Sequence, residues 1–251
     1  MANTTVEDIL SNGLLAYWHA SDLTAGDGNP ISSWIDRINS LDMTQGTSGK
    51  EPTQRNNYSS TGYPAAEFDG VDNFLSVTDA SLDVSKFAIL ASVKQNTAAS
   101  ADTVYASGGA TYCRIMANST TKGDFRIQNG SISTTGAQGS TTGINVVSAR
   151  CQDEIMHILN YEGIGFHIAP GAINHTSTHY MGARNGTMQF FDGGIFAIAV
   201  IDLNVCAWYD VIKAQVQMEN DFGLTLLDTL PQASSGGDGG IKSIGGGIGM
   251  F

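Results

Sequence analysis

Short apolar runs set between turn-forming clusters recur along most of the chain, and their periodicity is that of strands. In residues 86–94, Phe87, Ile89, Ala91 and Val93 fall on one face while Ser92 and Lys94 fall on the other, the period-2 alternation of a half-covered strand. Residues 14–18 and 31–35 predict two strands near the start. Others are predicted at 103–107, 112–117, 124–128, 144–151, 154–160 and 165–169. Turn clusters such as Gly108-Gly109 and Gln128-Asn129-Gly130 punctuate them. Residues 195–201 are apolar at every position, as in a central strand covered on both sides. Residues 40–61 are polar and rich in Gly, Ser, Thr and Asn, which predicts a surface loop with one short edge strand.

Two blocks far apart in the chain each couple a glycine turn to a strand. One is Phe68-Asp69-Gly70-Val71-Asp72-Asn73 leading into Phe74-Leu75-Ser76-Val77. The other is Met181-Gly182-Ala183-Arg184-Asn185-Gly186 running on to Phe191-Asp192-Gly193-Gly194. Glycine supplies the positive φ that a tight connection needs, and the β-branched and aromatic run suits a pleated, buried surface. One helix is predicted over 204–222, capped by Asp202 or Asn204 and stopped at Gly223. Its apolar stripe of Val205, Trp208, Tyr209, Ile212, Val216 and Phe222 should lie on the sheet, with Trp208 in the core.

Strands at this spacing without interleaved helices predict an all-β fold, an antiparallel two-sheet β-sandwich with one C-terminal amphipathic helix. Residues 1–12 form an N-terminal segment, 13–230 the sandwich with its helix, and 231–251 a Gly-rich linker and apolar tail. In the tail Ile241, Ile244, Ile248, Met250 and Phe251 are spaced through glycines with almost no charge, a segment poor at folding alone and suited to docking on a partner.

Composition changes this picture mainly by exclusion. The 251 residues are 41% hydrophobic but only 14% charged, with 30 Gly and a net charge of -12. Phosphate binding needs clustered Lys and Arg, so nucleic acid is excluded as a partner. Cys113, Cys151 and Cys206 are too few and too scattered for a disulfide framework and are expected as free, buried thiols. The first ten residues lack a basic region and a secretory apolar run, and nowhere do eighteen apolar residues follow one another. Folding in a cytoplasm without membrane insertion is therefore expected.

The sequence carries no recognisable catalytic constellation, and neither a catalytic residue nor a cofactor is expected. A retaining glycosidase needs two carboxyls about 5 Å apart, and residues two apart on a strand share a face, yet no Glu-x-Asp-x-Glu segment exists. Asp153-Glu154 reads as a hairpin turn. His175 and His179 have a metal-like spacing, but their Asn, Thr and Ser surroundings suit loop or strand, and no metal is assigned. Gly136-Ala137-Gln138-Gly139-Ser140 lacks the register of a nucleophile turn. Asp69, Asp72, Asp79 and Asp83 read as turn residues rather than calcium ligands.

Four blocks in order carry a resemblance: Gly13-Leu14-Leu15-Ala16-Tyr17-Trp18-His19-Ala20-Ser21-Asp22-Leu23, Ile31-Ser32-Ser33-Trp34-Ile35-Asp36-Arg37, Phe68-Asp69-Gly70-Val71-Asp72, and the 191–201 strand with the helix ending Asp221-Phe222-Gly223-Leu224. Across residues 13–226 the chain resembles the concanavalin A-like, laminin-G-like jelly-roll superfamily, of the kind found in bacteriophage virion proteins. The resemblance implies a curved two-sheet sandwich whose loops or concave face hold sugar or protein ligands. Versions in phage and bacterial proteins often open Tyr-Trp-Asp-Ala-Ser. Here His19 replaces the acid, so no metal or polar contact is carried over at that position. A non-enzymatic virion structural protein is expected, a capsid decoration, head-fibre or tail-associated subunit. Its expected partners are other virion proteins, further copies of itself in a homo-oligomer and a cell-surface glycan. The alternatives are a carbohydrate-binding or adhesin domain of a secreted assembly and, after it, a glycan hydrolase.

Overall fold

The structure, a computed structural model, describes residues 4–97, 102–108, 113–117, 125–129, 132–137, 140–152, 155–160, 163–168 and 177–224. Within these residues the strands are β1 Leu14–His19, β2 Ser33–Trp34, β3 Met43–Thr44, β4 Thr53–Arg55, β5 Ala65–Asp69, β6 Leu75–Thr78, β7 Phe87–Gln95 and β8 Thr103–Ser107. They continue with β9 Cys113–Ala117, β10 Phe125–Asn129, β11 Ile132–Ala137, β12 Asn145–Gln152, β13 Ile155–Asn160, β14 Gly163–Ile168, β15 Thr178–Met181 and β16 Asp192–Asp202. The helices are α1 Val6–Leu10 and α2 Trp208–Asp221.

These strands form two antiparallel sheets. The first runs β14-β13-β12-β7-β16-β5-β4, with β1 also on β16; the second runs β11-β10-β9-β8-β15-β6-β3-β2. The long β16 serves two partners along one edge, β5 at residues 192–195 and β1 at 197–201. Period-2 alternation then sorts the side chains. Phe87, Ile89, Ala91 and Val93 of β7 enter the core between the sheets with Trp18, Trp34, Phe68, Tyr105, Ile115 and Ile127. Ala88 and Leu90 point the other way, joining Tyr17, Phe196 and Ala199 beneath α1 and α2. As the apolar run predicts, β16 is buried on both faces.

The two glycine blocks are adjacent in space. Asp69-Gly70 carries the chain from β5 in the first sheet to β6 in the second, and the 182–191 segment carries it from β15 in the second back to β16 in the first. Asp192 pairs with Asp69 and Gly193 with Phe68, and the Gly70 N–H donates to the Phe191 carbonyl at 3.0 Å. Asp69 Oδ1 accepts from the backbone N–H groups of Val71, Asp72 and Asn73, and Asp79 accepts from Ser81, the roles of turn residues.

Several expectations need correction. Helix α2 starts at Trp208, not at 204, and its N-cap is Ala207. Asp202 closes a turn instead, accepting from the Asn204 backbone at 2.8 Å, and Cys206 is seated against Gly13. The buried face of α2 is Val211, Ala214, Gln215, Met218 and Glu219, while Val205 and Tyr209 are exposed and Trp208 is only partly covered. Gly223 does stop the helix. At φ +65° it lets its own N–H reach the Asn220 carbonyl and that of Leu224 reach Glu219.

The N-terminal segment also carries a helix that the apolar pattern misses. Thr5 and Asp8 form a reciprocal cap on α1, whose Val6 and Leu10 are buried. The polar 40–61 stretch holds two short strands, one in each sheet, and buries Leu41, Met43 and Tyr58. Only Ser33 and Trp34 of the predicted 31–35 strand are paired as a strand, and β5, β11 and β15 are additional. Cys151 and Cys206 are both buried, and Cys206 is a free thiol. Asp153 and Glu154 lie outside the described residues, between the paired Gln152 and Ile155. Among the described residues no helix is long and apolar enough to cross a membrane.

Candidate functional site

The helices cover the outer face of the first sheet, and no described helix packs on the outer face of the second. Because paired residues share a face, the strand register lays one line of side chains across it. Ser33, Thr44, Ser76, Tyr180, Ala106, Arg114 and Gln128 pair in succession from β2 to β10. The alternate residues Leu75, Met181, Tyr105, Ile115 and Ile127 point inward and are core. The outer line is open at Ser33 and Thr44, half-buried at Ser76 and Tyr180, and fully buried at Ala106 and Arg114.

An aromatic step interrupts this hydroxyl-rich surface. The rings of Phe74 and Tyr180, both half-buried, lie 6.3 Å apart at 54°. They are placed by the Asn185-Gly186 turn, in which both residues have positive φ and the Thr187 N–H returns to Arg184. A Cβ on Gly186 would come within 3.0 Å of Phe74 and 3.4 Å of Tyr180, so the ring pair needs glycine there. Beside the step, Thr78 and Thr178 face each other at 3.0 Å, and the Gln45 side-chain amide donates to the Phe74 carbonyl.

At the deep end Arg114 is held by a fork of hydrogen bonds. Its Nε and one terminal nitrogen donate to Gln128 Oε1 at 3.1 and 2.7 Å, and the other terminal nitrogen donates to Thr103 Oγ1 at 2.8 Å and to Gln189 Oε1. Such a clamp fixes the guanidinium plane. Gln189, at φ +56°, also accepts from Arg184 and is where the loop before β16 meets β8.

Asp102 lies next to this end. It is buried, its Oδ2 has no hydrogen-bond partner, and burial followed by the nearby Asp192 carboxylate pushes its pKa up to about 6. A carboxyl whose folded pKa exceeds its unfolded value of 3.8 stabilises the protein while protonated, and that contribution is lost as pH rises through about 6. Asp102→Asn is therefore expected to raise stability at pH 8 by about 1–3 kcal/mol and to leave it unchanged at pH 4. Urea unfolding at both pH values checks this; equal effects at the two would sink it.

His19, the departure from the usual opening block, is not isolated. Its Nδ1 is 2.8 Å from Ser21 Oγ and accepts the Ser21 backbone N–H, and its ring stacks on Phe222 at 5.8 Å. Burial, aided by Arg37, lowers its pKa. Arg37 beside it binds Asp22 through two nitrogens and Glu7 at 3.0 Å, tying α1 to the turn after β1. His179 points into the core, where its Nδ1 lies 2.7 Å from Tyr105 Oη; His175 lies outside the described residues. Among the described residues no three His, Cys, Asp or Glu side chains come together as a metal site.

The sequence-predicted docking residues Ile241, Ile244, Ile248, Met250 and Phe251 also lie outside the described residues. The outer line was missed because its members are one per strand. Alternation within β9 and β10, where Arg114 and Gln128 stand between core residues, is the signal that reveals its deep end.

Fold and face together define an antiparallel two-sheet β-sandwich with a late helix. No family model matches the sequence, and no curated protein matches it. Among solved structures the chain is similar to Trypanosoma rangeli sialidase in complex with sialic acid, with a TM-score of 0.60 and 12% identity over 86% of this chain and 34% of that one. Trypanosoma rangeli sialidase in a second structure gives a TM-score of 0.60 at 11% identity, with the same coverage. Ruminococcus gnavus IT-sialidase CBM40 bound to alpha2,3 sialyllactose gives 0.48 at 11%, over 81% of this chain and 99% of that one. The chain spans about a third of the length of the Trypanosoma rangeli chains, and identities this low speak to fold alone.

Proposed function

We propose that the protein is a non-enzymatic carbohydrate-binding domain that holds a glycan on the outer face of the second sheet. The observation that carries this reading is the line from Ser33 to Gln128 with the Phe74–Tyr180 step beside it. A sugar ring offers an apolar C–H face and a rim of hydroxyls. The first suits an aromatic ring, and the second suits hydroxyl and amide groups that both donate and accept. The Trypanosoma rangeli sialidase, a third of whose length has a similar fold, is described in complex with sialic acid.

Tyr180→Ala is expected to weaken glycan binding at least about tenfold, as for a central aromatic contact, with little loss of stability. A glycan array on the intact protein identifies the ligand, and calorimetry on the variant measures the loss. No binding to any glycan would overturn the carbohydrate reading. Binding indifferent to Tyr180→Ala would move the site off this face.

The finer reading is that the domain is carried on a bacteriophage particle, its sandwich projecting and its terminal segment joining other virion proteins. The four-block resemblance and the glycine-spaced apolar residues of 236–251 support it. Deleting 236–251 should then abolish incorporation into particles while the sandwich stays folded; undiminished incorporation refutes the anchoring role.

A further inference from the structure

Helix α2 has more apolar residues than the sandwich uses. At about 100° per residue, Val211, Ala214, Met218 and Phe222 share the side that faces the sheet. Tyr209, Ile212 and Val216, with Val205 just ahead of the helix, form a second line roughly 150° round from it. Val205 is 62% and Tyr209 45% exposed, and Ile212 and Val216 are half-buried. Polar groups border this line. Lys213 pairs with Asp210 at 2.6 Å and lies over the Tyr209 ring, while Arg150 lies over Trp208 at 4.8 Å.

We infer that in the isolated protein, before any assembly partner takes the segment up, this second line of α2 is the docking strip for the chain's own residues 241–251. The chain turns back at Gly223, and Leu224 packs at the edge of the helix-side core. Residues 225–240, rich in glycine towards their end, span up to roughly 50 Å when extended, whereas α2 is only about 21 Å long. The whole strip is thus within reach. A tether of this length sets an effective concentration on the order of millimolar, which favours the chain's own segment over that of a second copy.

Ile241, Ile244, Ile248, Met250 and Phe251 carry little charge around them and cannot build a core by themselves, but they match an exposed apolar strip of similar extent. The glycines between them let the backbone approach the helix closely.

The test compares the isolated full-length protein, a variant lacking 236–251 and full-length Ile248→Asp. Trp18 and Trp34 are buried in the core, so Trp208 is the indole that should report on the strip. Both variants should show red-shifted tryptophan emission and severalfold higher binding of an apolar dye, with near-ultraviolet circular dichroism of the sandwich retained. A synthetic 236–251 peptide should reverse these changes in the truncated protein but not when it also carries Ile212→Asp. Unchanged emission and dye binding in both variants would overturn the inference. So would peptide binding indifferent to Ile212→Asp, or a full-length dimer that dissociates on truncation, which would place the tail on a second copy. Glycan binding by the truncated protein stays intact, keeping this test separate from the reading of the sheet face.

Discussion

Asp36→Ala is expected to cost roughly 4 kcal/mol or more of folding stability, the largest single loss foreseen for a side chain outside the apolar core. The buried Asp36 carboxylate accepts four backbone N–H groups. Oδ1 takes those of Tyr17 at 2.7 Å and Ile38 at 3.2 Å, and Oδ2 takes those of Asn39 at 2.7 Å and Leu41 at 3.1 Å. These bonds gather the loop after β2 onto β1. The same loop brings the Leu41 carbonyl to the Trp18 indole at 2.9 Å. Removing the acceptor leaves several buried donors unsatisfied, at about 1–3 kcal/mol each before water or relaxation recovers part of it. Asp36→Asn keeps one oxygen but turns an amino group towards two donors, so it should lose roughly half as much. Denaturant unfolding measures both, and a loss below about 1 kcal/mol for alanine would contradict this role.

Gly182→Ala should be nearly as damaging, by roughly 3–4 kcal/mol, through geometry rather than chemistry. Gly182 has φ +81°, and a Cβ there would lie 2.2 Å from two ring carbons of Phe68, itself fully buried against Phe191. Its backbone is fixed from both sides, the N–H donating to Val104 and the carbonyl accepting from Phe191, so the chain cannot shift away. At about 2–4 °C per kcal/mol for a domain of this size, the melting temperature should fall by roughly 6–15 °C. Adding Phe68→Leu should recover part of the loss if the ring contact is its cause. Additive losses in the double variant would show that backbone strain alone accounts for the effect.

The legibility of this fold followed the range of the forces involved. Strand β7 was readable from Phe87, Ile89, Ala91 and Val93 because alternation is a local consequence of the pleat. The core position of β16 was readable because a strand covered twice has no polar face to show. The start of α2 was not, since Asp202 and Asn204 are good caps in isolation. They were overruled when Cys206 packed on Gly13 and set a turn ahead of the helix. The choice of buried stripe failed for the same reason. Val205, Tyr209, Ile212 and Val216 are as apolar as Val211, Ala214 and Met218, and only the position of the sheet selects between them. Helix α1, with five residues, is too short for a periodic signal and is held by its reciprocal Thr5–Asp8 cap and by Val6 and Leu10 packing beneath α2.

By itself the sequence determined the class of architecture, because turn chemistry at Asp69-Gly70 and Gly182, strand periodicity and the glycine stop at 223 are properties of neighbouring residues. It could not determine the candidate binding face. Ser33, Thr44, Ser76, Tyr180, Arg114 and Gln128 come from six different strands, and the register that lines them up is set by long-range pairing. Tertiary structure likewise decided that the two glycine blocks meet. Each is a crossover between sheets, and Gly70 and Gly182 are required by what the other block places against them, the Asp192 Cβ and the Phe68 ring, as much as by their own turns.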